Sequence, residues 1–247
     1  MIRGILSGVT AMRAQVRNQE VIANNLANVN TAAYNKDKVV FTSFKDTLMY
    51  AMRPSAFPLE IGGMSSGTVV EAIETIHSVG PIEVTGNPMD VAFAGGQYLA
   101  VETASGPRYT RRGDIELSAD RYLTVGGYKV LGKSGPIKVE GFETKSVRED
   151  GAVMVGDEAV DWLPLYEFAD ESALVKEGSS LFNPVDAEAI AVKSVSVAQG
   201  ALEESSVDPV VEMVNLIYTM RTYEAAQRAI LSADETLQQA VNKVGQV

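Results

Sequence analysis

Three groups of residues in this chain have types and spacings that could do chemistry. Gly127-Tyr128-Lys129-Val130-Leu131-Gly132-Lys133-Ser134 satisfies G-x-x-x-x-G-K-[ST]. In a phosphate-binding loop, that pattern aims backbone N–H groups at the phosphates and brings the lysine beside them. It works only where a strand feeds the glycine loop and a helix starts at the lysine. Here Gly135-Pro136 follows at once, then the alternating Ile137-Lys138-Val139-Glu140, so two strands joined by glycine-rich turns fit better. His77 is the only histidine, so any Ser-His-Asp relay would be built around it, yet no G-x-S-x-G elbow accompanies it. A lone histidine cannot make a multi-His metal site, and no carboxylates have calcium-loop spacing. Asp114, Glu116 and Asp120 read as solvated hairpin charges rather than paired catalytic acids. The expectation is no enzyme and no cofactor, with nucleotide binding at 127–134 as the alternative of a different class.

The third group is Ala23-Asn24-Asn25-Leu26-Ala27-Asn28-Val29-Asn30-Thr31. Asn24 and Asn28 are four apart, and Asn25 and Asn28 three apart, so they share one side of a helix. Asparagine both donates and accepts, which lets it bridge backbone groups of neighbouring segments. It also tolerates the left-handed conformation that ends helices. A polar helix end open to water is the competing reading, and the residues alone leave both open.

The elements carrying these groups follow from periodicity. Ile2, Ile5, Val9, Met12, Val16, Gln19, Ala23 and Leu26 alternate spacings of three and four, a heptad seam of more than three repeats. An amphipathic helix packed on its own domain would give the same pattern. At the other end Met213, Leu216, Met220, Tyr223, Gln227, Ile230, Asp234, Leu237, Val241 and Val244 repeat it. Asp208-Pro209 opens that run as an N-cap followed by proline at the first helical position. Pro54, Pro58 and Gly62-Gly63-Met64-Ser65-Ser66-Gly67 predict an extended linker over 42–75. Short strand patterns separated by glycine turns fill 76–200, without the intervening helices of a parallel sheet. The predicted fold is α+β: long terminal helices in a coiled-coil-like pair, with a mostly antiparallel β middle. The predicted domains are 1–41 plus 201–247 for the helical part, and 76–200 for the β-rich part.

The net charge of −11 argues against nucleic acid, whose phosphates need a basic footprint, and against anionic membranes. The charge is uneven, with a net of +4 over 1–45 and −4 over 201–247, which would steer the two ends together. The chain has no cysteine, so disulfides and thiolate chemistry are excluded. No apolar run has the length of a membrane span. Arg13 and Arg17 interrupt any secretory h-region, so export would have to leave the N-terminus uncleaved.

The run from Ala23 to Lys36 also resembles the N-terminal signature of the bacterial flagellar rod and hook family, roughly N-N-[LI]-A-N-x-[NS]-T-x-G-[FY]-[KR]. Ala33 stands where glycine is usual, and Asn35 is inserted before Lys36. Gly200-Ala201-Leu202-Glu203-Glu204-Ser205-Ser206-Val207-Asp208 is similar to the family's G-x-L-E-x-S-N-V-D, continuing through Glu212-Met213-Val214 and Arg221-Thr222-Tyr223-Glu224-Ala225. Thr85-Gly86-Asn87-Pro88-Met89-Asp90-Val91-Ala92 and Tyr109-Thr110-Arg111-Arg112-Gly113 resemble its middle motifs.

The resemblance implies a rod subunit, leaning to the distal over the proximal type, with a hook or hook-adaptor subunit as the alternative. It implies no small-molecule substrate. It implies partners in copies of the chain, other rod and hook proteins, the flagellar type III export apparatus and possible ring proteins around the rod. The implied location is the basal body in the cell envelope and periplasmic space. The implied self-assembly interface takes in Ile5, Val9, Met12, Val16, Asn24, Asn25, Leu26, Asn28, Asn30, Thr31 and Tyr34 near one end. Near the other it takes in Leu202, Glu203, Ser205, Val207, Asp208, Met213, Leu216, Met220, Arg221, Tyr223 and Glu224.

Overall fold

A computed structural model describes residues 2–43, 47–51, 59–64, 67–93, 95–140, 145–185, 187–192 and 195–244. The chain divides into two compact units. The first holds residues 1–26, 37–74 and 209–247; the second holds 27–36 and 75–208.

The first unit contains helix α1, Ile2–Ala27, and helix α2, Pro209–Val244. Pro209 is the first helical residue of α2, directly after Asp208, and Glu212 places a carboxylate in its first turn, where the dipole favours it. Two contacts fix how the helices run. Ile230 Cγ1 lies 2.7 Å from where a Cβ on Gly8 would sit, and Asn18 Nδ2 donates to Thr219 Oγ1 at 2.9 Å. Higher numbers on one helix meet lower numbers on the other, so the pair is antiparallel. At 1.5 Å per residue, the last turns of α2 run on beyond the start of α1.

The buried face is not the predicted seam. On α1 it is Ala14, Val21, Ile22 and Asn25, while Val9 and Val16 are exposed. On α2, Glu212 and Thr219 are buried and Leu216, Tyr223, Ile230 and Leu237 are half-buried, whereas Met213, Met220 and Val241 face outward. The heptad thus splits, with alternate positions turned in and out.

Residues 42–75, expected as an extended linker, carry strands instead. Asp37–Ser43 pairs with Thr68–Thr75, and Thr47–Ala51 pairs with Leu59–Met64. Alternation in Thr68-Val69-Val70-Glu71-Ala72-Ile73 supports a strand with one face on α1: the Thr68 N–H reaches Thr10 Oγ1 at 3.4 Å. Gly62 and Gly63 lie within the strand Leu59–Met64, and Pro54 and Pro58 lie outside the described residues.

The second unit is built on a nine-stranded sheet in which every pairing is antiparallel. Seven strands follow one path: Leu174–Glu177, Leu181–Pro184, Gly106–Thr110, Tyr98–Thr103, Tyr128–Val130, Leu123–Val125 and Ile115–Leu117. Leu165–Phe168 also pairs with Tyr98–Thr103, and Ala189–Ala191 pairs with Leu165–Phe168. The core beneath it includes Leu99, Val101, Leu123, Val125, Val130, Ile137, Leu163 and Leu165. A second cluster holds Tyr98, Phe168, Leu174 and Phe182, in which the Tyr98 ring meets Phe168 and Phe182 edge to face. A three-stranded antiparallel sheet of Lys145–Val147, Ala152–Val155 and Glu158–Trp162 belongs to the same unit, as do two short pairs: Val197–Gln199 with Val91–Phe93, and Ala201–Glu203 with Ile82–Val84. The unit therefore runs past residue 200 and recruits 27–36, beyond the 76–200 boundary expected from composition.

Candidate assembly interface

The sequence motifs meet inside the second unit. Arg111 and Glu203 form an ion pair with side chains 1% and 2% exposed. Both Arg111 Nε and Nη2 donate to Glu203 Oε2, at 3.1 and 2.9 Å, and Nη2 also reaches Gly95 O. The Gly80 N–H donates to Glu203 Oε1 at 2.9 Å, and the Ala33 N–H donates to Glu203 O at 2.8 Å. A buried charge is tolerated only when paired and hydrogen-bonded, and here both conditions are met. One glutamate thus ties three other segments of chain to its own.

The turn at 85–90 locks onto the same region. Gly200 O accepts from the N–H groups of Thr85 and Gly86, and the Gly200 N–H donates to Asp90 O. The Asp90 carboxylate accepts from Thr85 Oγ1 at 2.7 Å and Asn87 Nδ2 at 2.9 Å. Gly113 closes the cluster: a Cβ there would lie 1.6 Å from Val91 O, so no other residue fits.

The loop after α1 and the loop before α2 are tied together directly. The Ser206 N–H donates to Tyr34 O at 2.9 Å, and the Lys36 N–H to Ser206 Oγ at 3.1 Å. Lys176 Nζ lies 3.8 Å from the Tyr34 ring centroid and donates to Asn35 O at 2.6 Å. Ala33 is buried in the left-handed region at φ 51°. The inserted Asn35 is buried too, and its side-chain amide meets no hydrogen-bond partner among the described residues.

The asparagines of the first motif have separate tasks. Asn25 is buried in the first unit and grips both sides of one peptide: its Nδ2 donates to Asp37 O at 2.9 Å, and the Asp37 N–H donates to its Oδ1 at 3.0 Å. The side chain thereby imitates a strand neighbour and returns the chain to α1. Asn28 Oδ1 accepts from Thr31 Oγ1 at 3.2 Å, within the turn that follows. Asn24 and Asn30 are exposed.

The predicted interface residues therefore separate into three sets. Asn25, Tyr34, Glu203, Ser205 and Val207 are buried within the subunit and hold it together. Val9, Val16, Met213, Met220, Arg221 and Glu224 are exposed, as are Asp208, Asn24 and Asn30. Ile5, Met12, Leu26, Asn28, Thr31, Leu202, Leu216 and Tyr223 are half-buried. The outer face of α2 is more apolar than the seam alone implied, because Val210, Val214, Ile217 and Tyr218 join Met213 and Met220 there. A groove of about 690 Å³ runs along α1, walled by Val9, Met12, Val16, Val69, Val70 and Tyr223. Arg111, Asn18, Thr219 and Gly8 were missed as site residues. A charged residue breaking the strand pattern at 109–113 was the available signal for Arg111.

The groups that could do chemistry are placed as structure. Tyr128–Val130 is a strand, Gly132 N–H donates to Gly135 O across a tight turn, and no helix begins at Lys133. Lys133 Nζ sits 4.9 Å over the Trp162 ring. His77 Nδ1 is 3.3 Å from Tyr98 Oη and its ring packs on Phe182. Burial, then the nearby Glu171 charge, pushes Tyr98 up to about 12. Among the described residues, no group of acidic or histidine side chains is placed to hold a metal. No described helix is long and apolar enough to cross a membrane.

Terminal helices with uncovered apolar faces, joined through a clasped β unit, define a helix-ended structural protein. Residues 5–34 match the family described as "Flagella basal body rod protein", and residues 198–243 match "Flagellar basal body rod FlgEFG protein C-terminal". The chain is 32% identical to "Flagellar basal-body rod protein FlgG" of Bacillus subtilis (strain 168), over 98% of this chain and 99% of that protein. It is 32% identical to FlgG of Agrobacterium fabrum (strain C58 / ATCC 33970), over 95% and 96%. It is 28% identical to "Flagellar basal-body rod protein FlgF" of Mesorhizobium japonicum, over 96% and 95%. The chain belongs to the flagellar basal-body rod protein family.

Proposed function

We propose that this protein is a structural subunit of the flagellar basal-body rod, without catalytic activity, that assembles with copies of itself and with other axial proteins. The observation that carries the reading is the outer face of α2, where Val210, Met213, Val214, Ile217, Tyr218 and Met220 are all exposed. Contiguous apolar surface of this kind marks a protein contact. In the assembled rod the outer α2 face of one copy packs into the α1 groove of the next. Groove and helix face are different surfaces, so the contact is heterologous, and with a rotation that does not close a ring it extends into an open helical array. The helices then form a coiled-coil inner tube, and the tube transmits torque from motor to hook.

We further propose a FlgG-like subunit, because the two relatives at 32% identity both carry that name; the distal position is the one the sequence motifs imply. The partners are the neighbouring rod and hook proteins and the ring proteins around the rod. The export apparatus delivers the chain beyond the inner membrane.

Ile217→Asp puts a charge on the outer face without touching the side of α2 turned to α1. Its expected effect is loss of polymerisation, read by sedimentation and electron microscopy, and loss of motility when it replaces the native copy. Circular dichroism should match the unchanged protein. Polymers of normal length from a folded Ile217→Asp protein would sink the assignment of this face.

A further inference from the structure

We propose that the junction of Arg111, Glu203 and residues 27–36 is a latch. The second unit then has an open state in which its main sheet is formed while the loops flanking the two helices are released.

The nine-stranded sheet is drawn entirely from residues 98–191. Most of its core, from Leu99 and Val101 through Val130 to Leu165, lies in the same span. Neither needs 27–36 or 200–208. Those two segments are attached differently. Ala201–Glu203 is three residues long and pairs only with Ile82–Val84, whose Ile82 and Val84 are exposed. So short a pair buries little apolar surface and is marginal by itself.

These segments bury few apolar side chains, Ala33, Tyr34, Ala201 and Val207, and their polar attachments converge on Glu203 and Ser206. Glu203 takes Arg111 and Gly80 on its carboxylate and Ala33 on its carbonyl, while Ser206 takes Tyr34 and Lys36. Polar attachments lose little on release, because water replaces each partner. Apolar core loses much. Regions held mainly by polar contacts therefore open at lower free energy than the core, and they open together when they share a keystone.

Removing the glutamate's charge leaves Arg111 buried and unpaired, which drives the guanidinium toward water and detaches the strand covering it. Residues 27–36 continue directly from α1 and 205–208 lead directly into α2. Closing the latch therefore fixes both chain exits at once, and opening it frees both.

The test is hydrogen exchange with mass spectrometry on the full chain, dilute enough to stay monomeric, so that failure of assembly does not enter. In the unchanged protein, amides of 29–36 and 200–207 should exchange together, ahead of 99–101, 123–125 and 130. Glu203→Gln should accelerate the first set more than tenfold and leave the second within twofold. Equal acceleration of both sets would show one cooperative unit and overturn the latch, as would no acceleration. If Glu203→Gln proves unfolded, the same comparison is made on Ser206→Ala. There a few-fold acceleration confined to the two segments supports the latch, and uniform or absent acceleration overturns it.

Discussion

Ala33 occupies a left-handed backbone position, φ 51°, that costs a residue with a Cβ roughly 1–2 kcal/mol. Ala33→Gly removes that strain but gives up a buried methyl group and adds flexibility to the unfolded chain. The net expectation is a gain of about 0.5–1 kcal/mol, seen as a higher midpoint in urea; a lower midpoint would show that the methyl contact outweighs the strain. The departure from the family's glycine was legible in the sequence, but its meaning needed the backbone angle.

Tyr98 gives a pH prediction. Its folded-state ionisation lies near 12 against an ordinary 10, because burial disfavours the phenolate. Its contribution is fully present below pH 10 and is lost as pH rises through 12, since the unfolded chain releases the proton first. The slope should approach about 1.4 kcal/mol per pH unit in that window. Tyr98→Phe should flatten it in denaturant titrations at pH 9 to 11.5, and an unchanged slope would assign the effect elsewhere.

The two helices show what periodicity can and cannot tell. Counting threes and fours found both elements, and Asp208-Pro209 found the start of α2. It could not tell which apolar stripe faces the partner helix, because α2 carries apolar residues on two faces. The choice falls to small and polar contacts: Gly8 admits Ile230, and Asn18 meets Thr219. Gly8→Val should therefore push the helices apart and cost about 1–3 kcal/mol of helical stability, read as an earlier loss of the 222 nm signal on heating. Ile230→Ala in the same chain should restore part of it. Additive losses in the double variant would mean the two positions do not touch in solution.

The division of the whole chain was the hardest part to read. A β-rich middle between helical ends was plain from strand patterns and glycine turns. Its borders were not, because Glu203 and Tyr34 lie in stretches that look like approaches to the helices. A chain of residues 76–200 keeps the main sheet and should still unfold cooperatively, but at a lower urea midpoint than 27–208, because it lacks Glu203 and leaves Arg111 unpaired. Equal midpoints in the two, by near-ultraviolet circular dichroism, would refute the role given to that pair. Of the exposed α2 face, only Met213 and Met220 were legible as seam positions, and the groove was not legible, since it depends on a strand in the stretch expected as a linker.

The hydrogen bonds between Tyr34, Lys36 and Ser206 also define a path for force. A pull transmitted along the chain from α1 and α2 arrives at the β unit on two loops already bonded to each other. Tension between them is borne across that short bridge before it reaches the large sheet. The subunit can then carry mechanical load along its helices while its β unit stays unstretched, and the bridge is the first point to yield.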